Sequence, residues 1–203
     1  MKLYTKPGAC SLADHITLEW AGAHYEAEIV DAATMKSPAF LALNPAGAVP
    51  VLVVDGWALT QNAAILHYIA DTFPDARLDG DGTARGRAEV NRWLSFLNAD
   101  VHPAFHPLFG STKFLGDEAA IAKTQEQARR RLRTLFERAD AQLAGRDWLT
   151  GSRSIADPYL FVELLWTRRV DVDLAGLDHL AAFTARMLDD AGVQAAMKAE
   201  GLA

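Results

Sequence analysis

Cys10 is the only cysteine in the chain, and its setting suggests thiol chemistry. It stands in Lys6-Pro7-Gly8-Ala9-Cys10-Ser11-Leu12, after a short apolar run (Leu3, Tyr4) that reads as a strand and a Pro-Gly turn. Ser11 and Asp14 have the spacing of a capping box, and Leu12, Ile16 and Trp20 follow at helical intervals. The thiol is thus expected where a loop enters a helix N-terminus, whose unpaired N–H groups and dipole stabilise negative charge. A cysteine so placed can titrate at roughly 3.5–7.5 instead of ~8.5 and act as a thiolate at neutral pH. The same position also suits a small buried hydrophobe. With no second cysteine there is no internal disulfide and no all-cysteine zinc site, so disulfide chemistry here requires an external thiol.

Two other segments offer complementary groups. In Asn44-Pro45-Ala46-Gly47-Ala48-Val49-Pro50, a cis Val49–Pro50 bond would present the Val49 N–H and C=O to an extended peptide-like ligand. Gln61-Asn62 opens a helix, where amide side chains and free N–H groups suit a carboxylate; plain capping by Asn62 is the simpler use. A small thiol tripeptide such as glutathione has a sulfur for Cys10, backbone groups for Val49 and a carboxylate for that helix, so the three signals describe one site. A polar stripe of Asn91, Ser95, Asn98 and His102, spaced by four, three and four, lies on one helix face and suits either a ligand cleft or a subunit contact. His102 and His106 have a spacing that zinc sites use, but no third ligand is visible and Pro103 disturbs the turn, so no metal is expected. His15 and His67 read as packed or solvated.

The elements that must position these groups fall in two halves. Residues 1–78 carry the order β-α-β-α-β-β-α: strands over 3–5, 25–30, 51–54 and 57–60, helices over 11–21, 37–43 and 61–72, with Asp55-Gly56 as a hairpin turn. This predicts a small mixed sheet with helices on its faces. Pro, Gly and Asp crowd the segment before residue 83, so 79–83 reads as a linker and 84–203 as an all-helical domain. There a long helix over 83–101 is bent or ended by Pro103 and Pro107, followed by helices over 117–143, 177–188 and 193–200. Ser154-Ile155-Ala156-Asp157 is a second capping box, opening a helix apolar nearly all round that should be the buried centre of its domain.

Composition narrows the class. Twenty basic against 26 acidic residues in 203 give a net charge of -6, which argues against nucleic acid as a partner. The run Arg129-Arg130-Arg131-Leu132-Arg133 lies in a helix of mixed charge and reads as a solvated or subunit-facing surface. The longest apolar run, 158–166, is broken by Glu163 and is too short to span a bilayer, so no membrane partner is expected. The lone cysteine and the absence of a signal-peptide pattern at the start lead to the expectation of a cytoplasmic protein.

Lys2-Leu3-Tyr4 with Pro7-Gly8-Ala9-Cys10-Ser11-Leu12, Asn44-Pro45-x-Gly47-x-Val49-Pro50, and Ser154-Ile155-Ala156-Asp157 closely resemble bacterial beta-class glutathione transferases, over essentially the whole chain. The Val-Pro turn and the Ser-x-x-Asp box are shared across glutathione transferases, while the Pro-Gly-Ala-Cys-Ser opening points to the beta class. The resemblance implies an α/β thioredoxin-like N-terminal domain, an all-α C-terminal domain and a homodimer with glutathione in the cleft. It implies that Cys10 contacts the glutathione sulfur or forms a mixed disulfide with it. Ser11 is then the neighbouring hydroxyl, and His102 the histidine near the thiol in a Trp93-Leu94-x(7)-His102 context. Val49, beside Pro50, would pair with the cysteinyl backbone, Gln61-Asn62 would hold the γ-glutamyl carboxylate and Lys36 the glycine carboxylate. Ser95, Ala99 and Asp100 would line the same region. Phe105, Leu108 and Phe109 would line the pocket of a small apolar electrophile.

Three departures stand out. Asn62 replaces the usual Ser, Pro103 replaces a lysine that often follows the histidine, and the segment 31–40 is shorter than in beta-class relatives. The implied activity is conjugation of glutathione to small electrophiles, or glutathione-dependent thiol–disulfide exchange through Cys10. The alternatives are a non-catalytic glutathione- or hydrophobic-ligand-binding protein of the same fold, or a specialised glutathione-dependent dehalogenase or isomerase.

Overall fold

A computed structural model describes residues 1–202. Strand β1 (Lys2–Thr5) alternates between partly exposed and buried positions, with Leu3 and Thr5 inward, as the two-residue period of a strand requires. It pairs in parallel with β2 (Glu26–Ile29) and antiparallel with β3 (Val51–Val54), and β3 pairs antiparallel with β4 (Trp57–Thr60). The sheet order is β2-β1-β3-β4. Asp55 (φ 48°) and Gly56 (φ 83°) turn the hairpin, both on the left-handed side that the favoured two-residue loop needs.

Helices α1 (Ser11–Trp20) and α3 (Asn62–Thr72) cover one face of the sheet around Leu3, Leu18, Leu52, Ile65 and Ile69. Helix α2 (Pro38–Leu43), capped by the Ser37 hydroxyl on the Phe40 N–H at 3.2 Å, contributes Phe40 to a second cluster with Val30 and Val51. This is a thioredoxin-like domain, and the Val49–Pro50 bond is cis.

Helix α4 (Ala84–Phe96) begins after the Thr83 cap and passes into one π-helical turn (Leu97–Val101), then α5 (His102–Ala104). One uninterrupted helix over 83–101 was the expectation; the wider turn alters the phase of everything after Phe96. Ser95 and Asn98 are both exposed, and of the predicted polar stripe Asn98 and His102 reach Tyr159.

Helix α6 (Glu118–Leu143), capped by Asp117, packs against α8 (Asp178–Asp189), which in turn meets α7 (Ala156–Arg169) and α9 (Ala191–Ala199). From Ala156 to Thr167 only Leu165 is not buried, so α7 is the axis of the domain. In the arginine run Arg130 and Arg131 are exposed, as a solvated surface requires, while Arg129 and Arg133 also bind within the chain. Arg129 donates to the Val170 carbonyl, and Arg133 to the Asp173 and Ala175 carbonyls, tying α6 to the loop after α7.

The largest core joins Leu12, Ala13 and Ile16 of α1 to Val90, Trp93, Phe136, Tyr159 and Phe161 of the helical half. The helix that carries Cys10 at its start is thereby set against the helical domain. Among the described residues no helix is long and apolar enough to cross a membrane.

Candidate active site

The loop before Cys10 is held from both sides by the helical domain. The Gly8 N–H donates to Glu200 Oε2 at 3.0 Å, and the Gly8 carbonyl accepts from the Trp166 indole at 2.8 Å. Gly8 has φ +66°, a conformation that glycine adopts without steric cost. Glu200 also accepts from the Thr5 hydroxyl at 2.7 Å and meets His15 Nδ1 at 3.0 Å, in a fully buried network. The Ser11 hydroxyl belongs to this network, paired with Thr5 at 2.8 Å and accepting from the Lys6 N–H at 3.2 Å. Ser11 is fully buried, so its hydroxyl is not brought to the thiol side.

The expected Ser11–Asp14 capping box is absent as well. Cys10 is itself the N-cap, in a helical conformation with no side-chain cap, and the preceding turn absorbs the free N–H groups through Ala9 and Cys10 carbonyls. Asp14 is fully buried instead. With the Asn62 amide oriented to suit its neighbours, its NH2 donates to Asp14 Oδ2 at 2.7 Å and to the Cys10 carbonyl at 3.3 Å. Asn62 therefore faces inward, and of the two predicted carboxylate ligands only Gln61 is exposed. Gln61 has φ +75°, a strained backbone for a residue with a side chain, of the kind that clusters at ligand sites.

Cys10 Sγ lies 3.8 Å from the Val49 carbonyl, joining the thiol to the cis-proline turn. Burial first, and the Asp14 carboxyl next, push this thiol up to about 12. The Ser11 and Cys10 backbone N–H groups pull the other way and do not prevail. The expected thiolate is thus reversed, because desolvation of the charged form outweighs the helix N-terminus. Cys10 is a neutral thiol at pH 7, able to donate.

On the helical side His102 Nδ1 meets the Tyr159 hydroxyl at 2.5 Å, and that hydroxyl lies 3.4 Å from Asn98 Oδ1. Burial, followed by His106, lowers His102 to about 4, and burial raises Tyr159 far above its usual range. Both groups are then neutral at pH 7, and the Tyr159 hydroxyl, within reach of Nδ1 and of Asn98 Oδ1, sets which ring nitrogen carries the proton. The His102 ring stands edge-on to Trp166 at 4.8 Å, with Phe109 edge-on to the same indole at 5.4 Å. Phe109 is half exposed and stacks on Phe105. Phe105 is fully buried and Leu108 partly so, both packed into the core, so of the three predicted pocket residues Phe109 presents the most surface.

The remaining predicted residues are more dispersed. Lys36 is exposed on the 3-10 turn Thr34–Lys36 and forms no ion pair among the described residues. Ser95 and Ala99 are exposed on α4 and the π turn. Asp100 lines a separate 420 Å³ groove with Pro103, Thr112, Gln127 and Arg131, which Cys10, Val49 and Gln61 do not line.

Sequence reasoning did not single out Tyr159, Trp166 or Glu200. Tyr159 and Trp166 are two aromatics with polar ends, seven apart in an apolar helix, a pattern that buried hydrogen-bonding aromatics produce. Nothing local marks Glu200, which acts across 192 residues.

A thioredoxin-like domain carrying a thiol and a cis-proline turn, docked on a helical domain, defines the glutathione transferase fold. Residues 1–71 match the glutathione S-transferase N-terminal domain and residues 88–190 the C-terminal domain. The chain is 64% identical to glutathione S-transferase GST-4.5 of Xanthomonas campestris pv. campestris over 203 residues, all of both proteins. Among solved structures, a glutathione S-transferase from Xylella fastidiosa aligns with TM-score 0.97 and 54% identity, covering 100% of this chain and 99% of that one. Two sphingomonad enzymes, one complexed with glutathione and one a bacterial beta-class enzyme from Sphingomonas chungbukensis, each align over 100% of both chains. Their TM-scores are 0.88, with 41% and 40% identity. The chain belongs to the glutathione S-transferase family.

Proposed function

We propose that this protein binds glutathione against Cys10 and Val49 and conjugates it to small electrophiles as a homodimer of the beta-class kind, in the cytoplasm. The observation that carries the reading is the 3.8 Å approach of the Cys10 thiol to the Val49 carbonyl, which puts a sulfur and a peptide-pairing edge at one place. An extended tripeptide paired with Val49 would lay its own sulfur beside Cys10. Exposed Gln61 and the start of α3 would face its γ-glutamyl carboxylate, and Lys36 its glycine carboxylate. Among sequence relatives, the sphingomonad enzyme complexed with glutathione supports the ligand.

The protonation state of Cys10 favours one branch of the chemistry. A neutral thiol is a hydrogen-bond donor and a poor nucleophile, so Cys10 stabilises the glutathione thiolate rather than attacking a disulfide itself. His102, which carries its proton on Nε2 when the Tyr159 hydroxyl donates to Nδ1, is the second donor. In conjugation the glutathione sulfur forms a C–S bond with the electrophilic carbon, the leaving group departs with its electron pair, and the thiol proton goes to solvent.

Calorimetry with glutathione and turnover of 1-chloro-2,4-dinitrobenzene by wild type and Cys10→Ala test the reading. Binding with turnover that survives in Cys10→Ala at a reduced rate supports it. Absence of glutathione binding overturns it in favour of a hydrophobic-ligand-binding protein.

A further inference from the structure

Arg169 ends α7 three residues beyond Trp166, so the two side chains project on the same side of the helix. Its guanidinium lies against the active-site loop. A Cβ built on Gly8 would sit 2.9 Å from Nη1 and 3.0 Å from Cζ of Arg169. Arg168 beside it is exposed and without an ion pair among the described residues, but the three atoms nearest that Cβ all belong to Arg169. Arg129 is held on the Val170 carbonyl, Arg133 on Glu137 and Arg153 on Asp190. Arg169 is exposed and has no ion-pair partner among the described residues, Asp171 two positions on included. Lys6, also exposed and without an ion pair, adds positive charge two residues from Gly8.

The cation borders an aromatic wall. Trp166, which holds the Gly8 carbonyl, meets His102, Phe105 and half-exposed Phe109. Trp166 is buried, so a planar ring laid on half-exposed Phe109 would lie one aromatic layer from the Gly8 loop and the Arg169 fork. A fork of parallel N–H donors with nothing to bind is complementary to a carboxylate.

We propose that Arg169 is a specificity-determining residue and that the preferred electrophile is aromatic and carries a carboxylate. The carboxylate is a spectator held by the guanidinium, while the ring carbon bearing the leaving group faces the glutathione sulfur. This rests on the transferase reading above, and the test separates the two.

The probes are 4-chloro-3,5-dinitrobenzoate and its methyl ester, which share leaving group and ring but differ in charge. In each, the glutathione sulfur bonds to the chlorine-bearing carbon, chloride leaves with the bonding pair, and the thiol proton goes to water. Arg169→Gln should lower kcat/KM for the acid on the order of 10- to 100-fold, mostly through KM, while the ester changes by about 2-fold or less. Arg169→Lys should recover part of the loss, and the preference for the acid should shrink with added salt. An equal loss on acid and ester would overturn the proposal and make Arg169 only a brace for the Gly8 loop; no loss on the acid would overturn it as well. Circular dichroism of each variant verifies the fold. If wild type turns over neither probe, the transferase reading is decided by glutathione binding and 1-chloro-2,4-dinitrobenzene turnover alone. The arginine assignment is then decided by calorimetry with the two preformed glutathione conjugates, where a tenfold preference for the acid that Arg169→Gln erases supports it and equal affinities overturn it.

Discussion

The Asn62 amide donates to the Asp14 carboxyl at 2.7 Å, joining the first turn of α3 to the buried side of α1 directly beside Cys10. The same amide reaches the Cys10 carbonyl, so a residue at a ligand-facing position serves the interior. Asp14 in turn is the second cause, after burial, of the high thiol pKa.

Alkylation of Cys10 therefore reports on this pair. Wild-type protein should react with iodoacetamide far more slowly at pH 8 than a free thiol, with a rate still rising toward pH 12. In Asp14→Asn the neighbouring negative charge is gone, and the midpoint of the pH–rate profile should move to lower pH. Burial remains, so the profile should stay above that of a free thiol. An unshifted profile would remove Asp14 from the account.

The Gly8 peptide, bonded to Trp166 and Glu200 at once, makes a second expectation. Gly8→Ala puts a Cβ against the Arg169 guanidinium and holds an L-residue at φ +66°. It should destabilise the fold by about 1–3 kcal/mol, read as a lower midpoint in urea at unchanged slope. Trp166→Phe keeps the edge-on aromatic contacts but leaves the buried Gly8 carbonyl unpaired, at a cost of about 1–3 kcal/mol. Its transferase rate should fall further than its stability alone explains, since Cys10 is two residues from the freed peptide.

Local signals carried much of this architecture. Alternation in the strands, the Asp55-Gly56 turn and the Ser154–Asp157 pairing were all legible, and Asp157 Oδ2 accepts the Ser154 N–H at 2.8 Å and its hydroxyl at 2.9 Å. What was not legible depends on burial and on distant partners. Ser11 and Asp14 have capping-box spacing, yet Thr5 and Asn62, brought in by tertiary packing, claim their side chains. The dipole argument for Cys10 failed for the same reason, because a sequence shows where a helix begins but not how dry its first turn is. The π turn has no marker among 97–101.

Glu163 is fully buried in α7 with no hydrogen-bond partner for either carboxyl oxygen, and burial raises its pKa well above the usual carboxylate range. A carboxyl raised on folding holds its proton longer in the folded than in the unfolded chain. Stability is then complete below the unfolded pKa of ~4.3 and declines as pH rises above it. Asp157, pushed up to about 6 by burial, adds the same sign between ~3.9 and 6. Glu163→Met, which removes the unpaired carboxyl at similar volume, should raise stability at pH 8 by about 1–3 kcal/mol and flatten the decline. Urea melts from pH 5 to 9 measure both, and a variant less stable than wild type at pH 8 would show that Glu163 has a partner after all.

His102 titrates with the opposite sign and ties stability to activity. Its pKa is lowered to about 4, so its contribution is complete above ~6.5 and is lost as pH falls toward 4. At neutral pH the ring is uncharged, and a Tyr159 hydroxyl donating to Nδ1 would keep the proton on Nε2. Tyr159→Phe removes that constraint and lets the ring adopt either tautomer, so kcat for conjugation should fall, by on the order of 10²-fold at most. KM for glutathione should change little, because Tyr159 acts through His102 and not on the tripeptide. Tyr159→Phe should also leave the Cys10 alkylation profile nearly in place, which separates loss of the imidazole donor from general loosening of the site. A fall in kcat matched by an equal rise in KM would assign Tyr159 to binding instead.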